Sequence, residues 1–444
     1  MRSNEELKQS AWYPILAVSL SMVAFISIKT ARDAVFFNQG GLSQLPFAYL
    51  WIAFASVPSG MLHLAAMKRW GARRVRTGLL ILTAGLFLAF VPFVGEEHQL
   101  AMMVLFVLVP VIFAAVFAAA WLLAADIFEG AGSEFTRWAY SRIGAGSMIG
   151  GIVGGLLAGI LARSLAPKFL VVSGALVLLM VAALLSQAHR KNPIRSPGPM
   201  LAQPGASNGQ APPLAGAVPP TEDPVSPLPP NPLRATQLLK HPYVRGLMGM
   251  SALASVAALF IDFQFYSAVT FSGNTNPQFF AGFYTLLNAG ALLVQLLVAP
   301  RLQSRFGSGV TLMVLPSALF GWAGLSAFGA TIQSRLVLKL TESGLKSSIH
   351  RSVWEQVFLP VGRGSREIAK VLVDGVTARV AEGVGAGLLY FWLLSLGGER
   401  LSLASMTWVL AVVLLGWTVL TFYMRKHACI GMEAADYRMR LPDG

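Results

Sequence analysis

Cysteine, charge and acidic residues are all scarce in this 444-residue chain. The single cysteine, Cys429, excludes an intrachain disulfide framework. Only 12% of the residues are charged, about half the ~25% of an ordinary soluble domain. Asp and Glu number 20 against 34 Lys and Arg, a net charge of +14. On a soluble chain that excess would point to nucleic acid. Here it reads as basic loops that fix membrane orientation, and no nucleic-acid partner is expected. Also missing are a Gly-Lys-Ser/Thr phosphate loop, a nucleophile triad and any metal-ligand spacing. Enzymatic chemistry, nucleotide hydrolysis, cofactors and metals are therefore not expected.

Hydrocarbon is abundant. The chain is 55% hydrophobic, with a mean hydropathy of +0.62. The apolar residues fall in blocks near twenty long, the length that crosses a ~30 Å hydrocarbon layer as a helix. Twelve spans can be counted, at about 11–35, 46–66, 76–95, 100–125, 144–163, 168–188, 245–269, 279–300, 309–329, 332–357, 374–396 and 402–424. The first run lacks a small-residue cleavage site and is expected to stay as a helix rather than be removed as a signal peptide.

The segment 192–234 holds about half of the 25 prolines and few large apolar residues. It cannot build a core, so a disordered linker is expected there. The expected fold is thus all-α, with twelve transmembrane helices in two pseudo-symmetric six-helix lobes. The N-terminal lobe would cover 1–190, the linker 191–240, the C-terminal lobe 241–428 and a tail 429–444. Six helices, a linker and six helices is the outline of a two-lobed transporter. Basic residues gather after the even-numbered spans, at Lys68, Arg69, Arg73, Arg74 and Arg76 and at Arg190, Lys191 and Arg195. They recur at Arg363, Arg366 and Lys370, and at Arg425, Lys426, Arg438 and Arg440. This asymmetry predicts that both termini are cytoplasmic.

The chain also repeats itself. "RWGA" at 69–72 and "RFGS" at 305–308 occupy the same short loop of their respective lobes. Their equivalent placement points to duplication.

Four stretches carry charge or small residues into the spans. The first, "SIKTARDAVFF", puts Lys29, Arg32 and Asp33 about 25 Å or more beyond Trp12 and Tyr13, in the outer half of the membrane. Lys29 and Asp33 are four apart and can pair. The triplet either lines a central cavity or snorkels to anchor the helix. In span ten, Arg335, Lys339, Glu342 and Lys346 follow spacings of 4, 3 and 4, which is one helical face, extended by His350. That face belongs either to a water-filled cavity with a net positive lining or to a surface amphipathic helix.

In span seven, Asp262 and Gln264 lie among Phe260, Phe263, Phe265 and Tyr266. Asp262 can pair with a span-ten cation, carry a proton, or pair with Lys29 or Arg32. The aromatics either pack or stack on a base. In span five, Gly146, Gly150 and Gly154 form one ridge, and Gly151, Gly155 and Gly159 another, suited to close helix packing. Asp374, Arg379 and Glu382 with Arg363, Arg366 and Lys370 suggest a cytoplasmic gate network or a solvated loop face. Arg69, Arg73 and Arg305 in the repeated loops are the other gating candidates. His63 reads as a satisfied buried histidine rather than a proton relay.

The short basic Gly loop in each lobe resembles the major facilitator superfamily. "IKTARDAVFF", "SRIGAGSMIGGIVGGLLAG", "IDFQFYSA" and "HRSVWEQVFLPVGRGSREIAKVLVDGVTAR" resemble, more narrowly, the nucleotide transporter (ATP/ADP exchanger) family and its bacterial relatives. The resemblance implies a membrane carrier that exchanges nucleotides. A related amphiphilic or lipid-like anion is the alternative substrate, and a non-transporting sensor or scaffold the alternative role. The substrate-binding candidates are Lys29, Arg32, Asp33, Asp262, Gln264, Arg335, Lys339, Glu342 and Lys346. The expected partners are the lipid bilayer and a small anionic substrate, with the chain acting as a monomer.

Overall fold

A computed structural model describes residues 4–95, 98–128, 133–191, 235–328, 331–354, 356–358, 361, 368–395 and 403–427. The linker 192–234, Arg363 and Arg366 lie outside these residues. The described chain is helical, with twelve long helices. The N-terminal lobe contains α1 (Asn4–Asn38), α2 (Leu45–Trp70), α3 (Ala72–Phe90), α4 (Gln99–Phe128), α5 (Ser133–Ser164) and α6 (Pro167–Lys191). After a short helix at Ala235–Lys240 come α7 (Pro242–Phe271), α8 (277–306), α9 (308–328), α10 (332–354), α11 (368–395) and α12 (Leu403–His427). Ten of the twelve are long and apolar enough to cross a membrane by length and composition. The other two, α10 and α11, carry the charges described below.

The repeat noticed in the sequence has a conformational basis. Gly71 (φ 84°) separates α2 from α3, and Gly307 (φ 72°) separates α8 from α9. A side chain is strained at such angles, so glycine sits at both breaks. The preceding Arg–aromatic pairs match as well: Arg69 lies 5.7 Å over Trp70 and Arg305 lies 5.6 Å over Phe306.

Each lobe packs in the same order. In the first, α1 lies against α4, α5 and α6, and α3 against α6; in the second, α7 lies against α10, α11 and α12, and α9 against α12. Between lobes, α5 packs on α8 and α2 on α11. The two glycine ridges of α5 divide this work. A Cβ on Gly150 would sit 2.2 Å from the Ser19 carbonyl oxygen of α1, and one on Gly155 would sit 2.1 Å from Thr285 Oγ1 of α8. One ridge closes the lobe and the other lets the lobes touch.

Buried apolar residues form two clusters. One fills the N-terminal lobe; the other fills the C-terminal lobe and takes in Phe36, Phe37, Tyr49 and Phe106 from the first. There Phe37 stacks on Tyr266 at 4.2 Å and Phe36 on Phe106 at 4.3 Å. This aromatic plug seals the bundle at the end far from the termini. Large apolar side chains on the outer faces, such as Phe54, Leu62 and Phe391, are exposed, as expected of a surface that meets lipid.

Candidate functional site

Between the lobes lies a cavity of about 850 Å³. It starts beneath the aromatic plug at Lys29 and Tyr284 and runs to Arg351, Trp354 and Lys370, at the end of the bundle that carries the termini. Among the described residues, seven Lys and Arg side chains and four carboxylates line it.

The blind end is a cluster around Asp33, whose side chain is wholly buried. Lys29 Nζ donates to Asp33 at 2.5 Å, to Tyr266 Oη at 2.9 Å and to Tyr284 Oη at 2.5 Å. Arg32 Nε donates to Asp33 at 2.7 Å, and its guanidinium covers the Phe106 ring at 4.1 Å. The hydroxyls of Tyr266 and Tyr284 also donate to Asp33, the first at 3.1 Å. A carboxylate from α1 thus holds tyrosines from α7 and α8 of the opposite lobe. The ammonium of Lys29 has all three of its hydrogens engaged, which is how a charge is kept away from bulk water.

The second cluster is on the C-terminal wall. Lys339 lies 2.6 Å from Asp262 and 2.8 Å from Glu342. Lys346 reaches the other oxygen of Glu342 at 3.3 Å. Ser343 donates to Glu342 at 2.7 Å, and Tyr49 of α2 donates to Asp262 at 3.1 Å. The partner of Asp262 is therefore the span-ten cation. Four of the sequence candidates, Asp262, Lys339, Glu342 and Lys346, meet here, and Lys29, Arg32 and Asp33 meet at the blind end.

Arg335 and Gln264 sit elsewhere. Arg335 is 1% exposed and donates to Gln264 Oε1 and, at 3.3 Å, to Ser326. Both lie inside the C-terminal lobe between α7, α9, α10 and α12, away from the cavity wall. Arg335 shares the α10 face of Lys339 and Glu342 but lies one turn nearer the start of the helix, where Gln264 and Ser326 cover that face.

Of the gating candidates, Lys370, Asp374 and Arg379 line the cavity. Asp374 accepts the indole N–H of Trp354 at 2.8 Å, and Arg379 pairs with Glu382 at 2.7 Å. Arg69 and Arg305 are exposed in the repeated loops, Arg73 is half-buried near Gly71, and Arg366 is outside the described residues. Arg76 bonds Asp126 of α4 at 2.5 Å, a pair that sequence reasoning did not anticipate. It also missed Tyr49 and Tyr284, which look like ordinary aromatics in apolar helices. The α10 and α11 walls each contain a π-turn, at Lys346–His350 and Val371–Thr377. Such turns are frequent at functional sites.

No protein-family model matches the chain, and no curated protein matches it. Solved structures do match. A point mutant of the nucleoside transporter NupG superposes with a TM-score of 0.62 at 14% identity, covering 94% of this chain and 99% of that one. NupG itself gives 0.60 at 13% identity, covering 94% and 98%. The POT family transporter PepTSo gives 0.62 at 11% identity, covering 95% and 98%. At these identities the likeness is one of fold. The chain is an all-α, multi-pass membrane protein with the twelve-helix, two-lobe architecture of major facilitator-type proteins.

Proposed function

We propose that this chain is a secondary transporter that carries an organic anion by alternating access, and that the anion is a nucleotide such as ATP taken in exchange for ADP. The observation that carries this reading is the charged cavity between two lobes, lined among the described residues by seven cations and four carboxylates, with Asp33 buried behind two of those cations. Such charges are expensive within a membrane and are kept where they serve a pathway. An incoming phosphate would take over part of the pairing that Asp262 and Glu342 provide, which biases the lobes toward closure.

Other features support the nucleotide. The wall includes Phe25, Tyr49, Phe106 and Phe265, faces on which a base can stack. The volume is within the ~300–1,000 Å³ of small-molecule sites. The nucleoside transporter NupG has the same fold. In this reading the protein works as a monomer in the bacterial inner membrane. Its termini are cytoplasmic, and the described state is open to the cytoplasm.

The test is uptake of labelled ATP into liposomes that contain the purified protein. Uptake that requires ADP inside is expected. No uptake, together with no thermal stabilisation by any nucleotide, would sink the reading. One observation favours a second substrate class: Met22, Ile26, Ile52, Met250, Leu259 and Leu287 make part of the wall apolar. An amphiphilic, lipid-like anion fits that wall, and stabilisation by lysophospholipids instead of nucleotides would select it.

A further inference from the structure

Arg351 is a cavity cation without a carboxylate partner among the described residues. Lys29 and Arg32 share Asp33, Lys339 lies between Asp262 and Glu342, and Arg379 pairs with Glu382. Lys346 has only the farther oxygen of Glu342, at 3.3 Å, and half of its side chain is exposed. Arg351 is exposed, and no carboxylate pairs with it among the described residues. Its contact is with the other lobe, where its guanidinium lies 5.4 Å over the ring of Trp121 on α4.

The backbone aims Arg351 at the cavity. In a regular α-helix, a residue five positions on is turned about 140° away, since each step is about 100°. Between Lys346 and Arg351 the helix makes a π-turn, and the Arg351 N–H donates to the Lys346 carbonyl, five residues back. The extra residue in the turn sets the two cations one above the other on the same face. Both line the cavity, as does Ser347.

We infer that Lys346 and Arg351 form a phosphate-binding site at the mouth of the cavity, the first point at which the anionic end of a substrate docks. The forked guanidinium grips a phosphate through two hydrogens and the ammonium adds a point charge. In the empty state the Trp121 ring holds the guanidinium across the mouth. An arriving phosphate takes it, which exchanges a contact between the lobes for a contact with the substrate. The physiological ligand rests on the transport reading above, whereas the site itself is a claim about phosphate chemistry.

Inorganic pyrophosphate is the probe, titrated into the purified full-length protein at low salt. The wild type is expected to bind it. Arg351→Gln and Lys346→Gln should each weaken binding at least ~10-fold, the scale of one lost charge-assisted hydrogen bond. Arg425→Gln, at an exposed cation on α12 away from the cavity, should bind like the wild type. Arg351→Lys keeps the charge and loses the fork, so it should fall between wild type and Arg351→Gln. It also keeps the test decisive if Arg351→Gln folds poorly. The site is overturned if wild type does not bind pyrophosphate, or if Arg351→Gln and Arg351→Lys bind it like wild type. Unchanged nucleotide exchange in Arg351→Gln would remove the site and leave the transporter standing. Pyrophosphate binding without any exchange would do the reverse.

Discussion

Asp33 of α1 accepts a hydrogen bond from Tyr284 of α8, and the reciprocal pair exists on the other side: Asp262 of α7 accepts one from Tyr49 of α2. The first and seventh helices are repeat equivalents, as are the second and eighth. Each lobe therefore offers a carboxylate from its first helix to a tyrosine on the second helix of its partner. Both contacts lie at the end of the cavity away from the termini. They clasp the lobes there and leave the other end open.

The first prediction follows from that clasp. A hydrogen bond to a charged group contributes about 1.5–3 kcal/mol. Removing both hydroxyls with Tyr49→Phe and Tyr284→Phe should favour the state open at the far end by at least ~10-fold. Spin labels at Ser43 and Asn274, exposed on opposite lobes at that end, report the separation once Cys429 is replaced. A longer distance is expected in the double variant. An unchanged distance distribution would mean that the clasp does not hold the lobes.

The second prediction separates the two ridges of α5. Gly150→Ala drives a Cβ into the Ser19 backbone within the lobe, whereas Gly155→Ala drives one into Thr285 across the lobes. Overpacking costs about 1–3 kcal/mol. The first variant should lower the melting temperature. The second should keep the lobes folded and lengthen the Ser43–Asn274 distance, because opening relieves its clash. Equal loss of stability in both, with no change in distance, would contradict the division.

The third prediction concerns position on α10. Lys346 is on the cavity wall, whereas Arg335 is locked inside the lobe on Gln264 and Ser326. Lys346→Gln should weaken anion binding at an unchanged melting temperature. Arg335→Gln should lower the melting temperature, since the lost buried hydrogen bonds are worth about 1–3 kcal/mol. Its anion affinity, measured at low temperature on the folded fraction, should stay near wild type. The opposite pattern would put Arg335 in the binding site.

These contrasts mark what a sequence can reveal. Ten of the spans were legible because bilayer thickness imposes a length on apolar runs. The loop repeat was legible because a left-handed backbone requires glycine at 71 and 307. The face of Lys339, Glu342 and Lys346 was legible because helical periodicity holds over two turns. At Arg335 the same face already points into the lobe, where α7 and α9 supply partners from distant parts of the chain. Arg351 was hidden for a related reason. Periodicity of 3.6 turns it away from Lys346, and the π-turn that brings it back has no sequence signature. Tyr49 and Tyr284 were hidden because their roles depend on carboxylates more than two hundred positions away.

The last prediction tests the charge balance of the cavity wall. Lys339 neutralises two carboxylates, and its side chain and those of Asp262 and Glu342 are only 14%, 23% and 5% exposed. Lys339→Gln therefore leaves Asp262 with the Tyr49 hydroxyl alone and Glu342 with the more distant Lys346. Breaking a buried pair on one side costs about 3–5 kcal/mol, whereas removing both partners is often close to neutral. Lys339→Gln should lower the melting temperature sharply, and adding Asp262→Asn should restore most of it. The double-mutant cycle isolates this coupling from the individual losses. Anion affinity should not recover with stability. The double variant has lost a cation that a substrate needs, so it should fold and bind ATP more weakly than wild type. If stability and affinity are restored together, Lys339 is a structural pair and not part of the binding wall. If neither is restored, the ion pair is not what holds this wall in place.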